Sequence, residues 1–282
     1  MKSLSGREEI VLKLVRLGAI AFLTSSLVSA QASSAGVQQE VVVEGERLPD
    51  LKAPPPPGIK KQGNTLAVAQ VDDQSQIFQR CVKFKPSDSL RNIVDGQPNS
   101  PQHEYSLDRF IRVNVACYPS AQQPAPEEPG YSYCRAVIGN DRLPICRSYY
   151  DRGAIIAGAL AHFAPDAVLT PSDVANREVQ KRLDEREAKR LALALPADKA
   201  RMQIAECLVM SQPEDTTRLV RAHETPALQV QYVYRILDRG KVCLGGITPV
   251  RIEPLYFRYV LSEAFYRWVV AAKGVDTLIP VS

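Results

Sequence analysis

Histidine is scarce in this chain of 282 residues: there are three, His103, His162 and His223, scattered and never in an HExxH arrangement. A catalytic zinc site built on imidazoles is therefore not expected. No CxxC occurs, which argues against a zinc ribbon or a thioredoxin-like redox pair. GxSxG, GxGxxG and GxxxxGK[ST] are all missing, so neither a nucleophile elbow nor a glycine-rich phosphate cradle is expected. Carboxylates are plentiful, but none forms a telling pair: Asp72 with Asp73, Glu127 with Glu128 and Asp184 to Glu187 all fall in stretches that read as solvated. No catalytic residue, metal ligand or cofactor site is assigned. Excess charge is lacking too. Of a formal +4, half lies in residues 1–30, leaving about +2 and no electrostatic footprint for nucleic acid.

What is present begins with a targeting segment. Lys2, Arg7, Lys13 and Arg16 precede the apolar run LGAIAFLTSSLVSA, too short and too serine-rich to span a bilayer comfortably. Val28 and Ala30 fit a signal-peptidase site, so residues 1–30 read as a signal peptide. Nothing later is long and apolar enough for a transmembrane helix. A mature protein outside the cytoplasm, periplasmic or secreted, follows as the expectation.

Six cysteines remain after that cut, and in an oxidising compartment an even set is expected to pair. Cys81 and Cys117 are 36 positions apart, and so are Cys207 and Cys243. Sliding the chain by 126 lays FQRCVKFKPSDSLRNIV on IAECLVMSQPEDTTRLV and LDRFIRVNVAC on VYRILDRGKVC, apolar over apolar. After a further slip of 21, GAIIAGALAHFA lies on RYVLSEAFYRWV. These matches read as an internal duplication. The fold expected is mainly α, with two tandem disulfide-bonded helical modules at 67–166 and 197–273 joined by a connecting helix within 167–196. Residues 31–66 read as a disordered, proline-rich tail and linker, and 274–282 as a C-terminal tail.

The first module carries an insertion at about 119–147. Alternating residues flank Gly139-Asn140-Asp141, which suits a three-residue hairpin turn placing Val137 opposite Leu143 and Cys134 opposite Cys146. A disulfide-closed hairpin follows, and with the duplication it selects Cys81–Cys117, Cys134–Cys146 and Cys207–Cys243 from fifteen connectivities. Closing a 36-residue loop stabilises by about 3–4 kcal/mol in the chain-entropy model.

Arg109 and Arg235 each stand eight positions before the second cysteine of their module. They are candidate anion sites, or partners of a buried acid. Tyr256, Tyr259 and Tyr266 in the last helix exceed what one buried face needs, so some are expected to be exposed and to meet a partner or the other module. In the tail, Glu40 to Leu48 (EVVVEGERL) is a β-prone patch able to add as an edge strand, and it resembles valine-rich stretches near the mature N-terminus of TonB-dependent outer-membrane proteins.

The stretch AECLVM, CLGG and VRIEPLYFRYVLSEAFYRW is similar to uncharacterised exported proteins of sphingomonad-type α-proteobacteria. The matching residues are Cys207, Cys243, Arg251, Pro254, Glu263, Ala264, Tyr266 and Arg267. The first copy departs from the pattern, with Ala157-Gly158-Ala159 where SEA stands in the second. This resemblance implies location and a helical fold, and no activity. The function expected is a non-enzymatic envelope binding or structural protein with a protein partner. The alternative is an envelope hydrolase whose site assembles only in three dimensions.

Overall fold

Proline decides where many helices begin. Lacking an N–H and fixed near a helical φ, it costs nothing in the first turn. Six helices start on one: α3 (Pro101–Val113), α5 (Pro171–Ala175), α7 (Pro196–Ser211), α8 (Pro213–Arg221), α9 (Pro226–Arg239) and α10 (Pro254–Lys273). The others are α1 (Leu66–Cys81), α2 (Asp88–Val94), α4 (Tyr150–Phe163) and α6 (Arg177–Arg190). This computed structural model describes residues 48–61, 66–117, 136–138, 144–146, 150–246 and 249–281. Within them the protein is mainly helical, as expected, and residues 47–282 form one compact unit. No helix among the described residues is long and apolar enough to cross a membrane. The signal segment, the valine-rich patch and Cys134 lie outside the described residues.

Helix α10 occupies the centre. Every residue from 257 to 271 is buried, and α4, α5, α6, α7, α8 and α9 all pack on it. It is capped by the Glu253 carboxylate, which accepts from the Tyr256 N–H at 2.5 Å, and it ends at Gly274, whose φ of +64° is the left-handed stop that glycine adopts freely. The sequence reading of a single buried face was thus too narrow. Both halves of the chain contribute to one apolar core, from Phe78, Leu90 and Ile155 to Leu208, Ile236 and Phe265.

Two of the expected disulfides are present. Cys81–Cys117 and Cys207–Cys243 have Cα separations of 5.4 and 5.6 Å. Each ties a long helix, α1 or α7, to a 3-10 turn that follows α3 or α9. The order of elements around each bridge recurs: long helix, short helix, longer helix, cysteine-bearing turn.

Three expectations change. The connecting helix breaks at Asn176, whose carboxamide accepts from the Glu178 N–H and starts α6 afresh after the short α5, capped in turn by Thr170. Asparagine's side chain competes with the helical backbone and here wins. The hairpin of β2 (Ala136–Ile138) and β3 (Pro144–Cys146) is antiparallel, but its register pairs Ala136 with Cys146 and Ile138 with Pro144. The expected register would have put Pro144 inside a strand. The observed one makes it the first residue, where its missing donor costs no ladder bond. Third, the linker is not a free tether: β1 (Ile59–Lys61) pairs in parallel with β4 (Val250–Ile252), burying Ile59, and Gln231 of α9 donates to the Leu51 and Ala53 carbonyls at 3.3 and 3.2 Å.

Candidate functional site

A helix enclosed on all sides leaves its charged residues no route to water, and an unpaired buried ion costs many kcal/mol. Arg258, Glu263 and Arg267 of α10 are each at most 4% exposed, so each has to find partners. Glu263 sits at the centre of the larger cluster. The Arg152 guanidinium of α4 grips it as a fork, Nη1 to Oε2 at 2.6 Å and Nη2 to Oε1 at 2.5 Å. Arg190 of α6 adds Nη1 to Oε1 at 3.1 Å, and Arg267, one turn along α10, stands 3.6 Å away. Glu187 accepts from Arg190 Nε at 2.9 and 2.8 Å. Arg267 pairs with Asp95 at the end of α2 at 3.3 Å and donates to the Val94 carbonyl. Asp95 also accepts from Thr277 at 2.7 Å and Tyr266 at 3.2 Å. Spacings of three and four residues put Glu187 with Arg190, and Glu263 with Arg267, on common helix faces.

The charges balance in an informative way. Three guanidiniums, Arg152, Arg190 and Arg267, stand against three carboxylates, Asp95, Glu187 and Glu263. Glu206 of α7 is a fourth carboxyl beside them, and its Oε1 is buried without a hydrogen-bond partner. Burial, and then the Glu187 charge, push it up to about 8, so at neutral pH it holds its proton. Burial alone would raise Glu263 too, but Arg152, Arg190 and Arg267 together pull it below the usual carboxylate range. A carboxylate stabilised this strongly is a poor base. His103 of α3, 3% exposed, accepts from Arg152 Nε at 3.2 Å. Burial and the Arg152 charge bring it down to about 4, a neutral imidazole at physiological pH.

A smaller cluster joins α1 to α10. Arg258 Nη2 donates to Asp72 Oδ1 at 2.6 Å and to the Tyr259 hydroxyl at 3.1 Å, and that hydroxyl also meets Ser75 Oγ at 2.9 Å. Burial, opposed by Arg258, raises Asp72 to about 6. Nearby the Tyr150 hydroxyl donates to Glu253 at 2.9 Å, and Arg201 donates to the Tyr256 hydroxyl at 3.0 Å.

Several sequence-based placements are therefore corrected. Tyr259 and Tyr266 are buried and Tyr256 half-buried; none is an exposed contact. Their hydroxyls are anchored by hydrogen bonds inside the body. Arg235, by contrast, takes the second of its two expected roles: it pairs with the buried acid Asp215 at 3.4 Å, beside Arg218 and Arg239. Arg109 is exposed on α3, so the two arginines do not play equivalent parts. Asp72 and Glu187, expected to be solvated, are 3% and 6% exposed. His103 lies in α3 and is buried, and His162 is exposed on α4. Cys146 forms the end of β3, and its expected bridging partner lies outside the described residues.

The sequence reading missed Glu263, Arg267, Arg258, Arg152, Arg190 and His103. One signal was available for Arg258, Glu263 and Arg267: they interrupt a long, largely apolar helical run, where charged residues have to be buried and paired. A surface depression of about 210 Å³ lies between α6 and the end of α10, apart from these clusters. Its Arg182 donates to the Ala271 carbonyl at 2.9 Å, and its Arg186 to those of Val275 and Asp276 at 3.0 and 2.6 Å. Arg182 thus adds a second donor at the last turn of α10, and Arg186 ties down the segment that follows it. Among the described residues no group of three or more His, Cys, Asp or Glu side chains is arranged to hold a metal ion. The arrangement defines a disulfide-bonded helical body with an internal ion network. No protein-family profile matches the chain, and no curated protein or solved structure is significantly similar to it.

Proposed function

We propose that the chain is an exported envelope protein, built from a duplicated helical module, that binds a protein partner and carries out no catalysis. The observation that carries this reading is that the convergent acids other than Glu206, and His103 through its Nε2, are occupied by neighbouring side chains. Glu263 is held by three arginines, Glu187 by Arg190, and Asp95 by Arg267, Tyr266 and Thr277. Groups spent on holding helices together are not free to meet a substrate. Disulfides between distant helices support an oxidising compartment. The resemblance to exported sphingomonad-type proteins points the same way. Residues 48–61 are docked on the helical body by β1 and by Gln231.

The test is affinity capture from envelope extracts using the mature chain and a version without residues 31–47. A specific partner retained by the first and lost by the second, with unchanged melting, is the expected result. If neither chain retains a specific partner, the reading is overturned. The hydrolase alternative draws on Glu206, a carboxyl carrying a proton at neutral pH. Loss of a hydrolytic activity in Glu206→Gln, with the fold intact, would establish it instead.

A further inference from the structure

The pairing of β1 with β4 contains a mismatch. Its parallel register sets Ile59 beside Val250, Lys60 beside Arg251 and Lys61 beside Ile252. Side chains alternate along a strand, so Lys60 and Arg251 emerge on one face as neighbours, and both are exposed. Like charges at paired positions repel. Neither cation forms an ion pair with a described carboxylate. Across residues 48–60 only the Ile59 side chain is buried, and β1 is three residues long. The seat along β4 thus calls for a branched apolar residue followed by an acid, and it holds one followed by a lysine.

The tail contains the better match. Val43-Glu44-Gly45 places a β-branched residue where Ile59 sits and a carboxylate beside Arg251. We infer that β4 is an acceptor edge for the Glu40–Glu46 segment of a second copy of this chain, which displaces β1 and pairs by strand addition. The incoming valine is one methylene smaller than the isoleucine it replaces, so the gain in charge pairing is set against a small loss of packing and the association is weak and reversible. Exchange in both directions closes a dimer. This names the partner in the binding-protein reading above and rests on it.

Sedimentation equilibrium of the full mature chain tests the assignment, with Glu44→Lys, Arg251→Glu and the triple reversal Glu44→Lys with Lys60→Glu and Arg251→Glu as variants. Melting temperatures report whether each variant still folds. Concentration-dependent dimerisation is expected for the natural chain. Each single reversal weakens it about fivefold, and the triple reversal, which again sets like charges at positions 60 and 251 and opposite charges at 44 and 251, restores it. A chain that is monomeric at its highest soluble concentration overturns the inference, and so do single reversals without effect. A monomer in which Glu44→Lys alters amide exchange at residues 250–252 also overturns it, by placing the tail on its own body. A monomer that still captures an envelope partner removes this inference and leaves the binding-protein reading standing.

Discussion

Replacing Glu206 by glutamine probes the ion network most directly. Glu206 is the carboxyl without a guanidinium, and its folded-state pKa of about 8 stands well above the ordinary 4.5. The direction follows from proton binding. Between those two pH values the folded chain holds a proton that the unfolded chain has released. Stability from this group is therefore fully present below about 4.5 and is lost as pH rises through about 8. At about 1.4 kcal/mol per pH interval of one, the loss is at most about 5 kcal/mol. Side-chain reorientation and water entry bring the expected loss to about 1–3 kcal/mol.

Glutamine has the shape of the protonated acid and never ionises. Glu206→Gln should match the natural protein near pH 4.5 and exceed it by about 1–3 kcal/mol at pH 8.5. For a unit of this size, that is an increase in Tm of roughly 3–10 °C. Thermal unfolding of both proteins across the pH range measures the difference, with other titrating groups cancelling to first order. A gain of the same size at both ends, or a destabilised variant throughout, would refute the charge-balance argument.

Removing the central acid should act in the opposite sense. Glu263→Gln takes the shared acid from Arg152, Arg190 and Arg267 and should cost about 3–5 kcal/mol at pH 7, read as a fall in the denaturant midpoint. A Cβ at position 158 would overlap the Phe84 ring, so Gly158→Ala should destabilise by about 1–3 kcal/mol in the same assay. Replacing both Cys207 and Cys243 by serine should cost about 3–4 kcal/mol, and reductant should then change the natural protein's stability more than the variant's. Burial raises Asp72 to about 6, so by the same proton-binding argument Asp72→Asn should cost less at pH 8 than the loss of its Arg258 pair alone suggests. Comparing Tm at pH 5 and pH 8 checks it.

Local signals on this chain were strong. Prolines at helix starts, caps such as Ser87, Ser100 and Thr170, and glycine at 274 locate most elements within a few residues. The 36-residue cysteine spacing pointed to two bridges correctly. What escaped was long-range. No periodicity reveals that Ile59 pairs with Val250 far along the chain, or that Asp72 meets Arg258. Composition led to the opposite error in α6, where a charge-laced sequence reads as a solvated face. Arg182 and Arg186 instead cover the end of α10, and Glu187 and Arg190 turn inward. Charge patterning says which residues are able to pair along a helix, not whether another helix lies across them.

The buried ions also account for something that apolar packing leaves open. A helix buried at every position from 257 to 271 has no solvent-facing side to set its rotation, and aromatic and aliphatic residues on several sides can exchange places at modest cost. The charged side chains remove that freedom. Arg258 has its acid on α1, Glu263 has guanidiniums on α4 and α6, and Arg267 reaches Asp95 at the end of α2. Turning α10 by one residue, about 100°, would carry all three away from their partners at once, leaving several unpaired charges in the core. Ion pairs of this kind contribute little net stability against apolar substitutes, yet they penalise every wrong orientation heavily. The network is thus best understood as fixing the register of the central helix, and through it the positions of α1, α2, α4 and α6 around it.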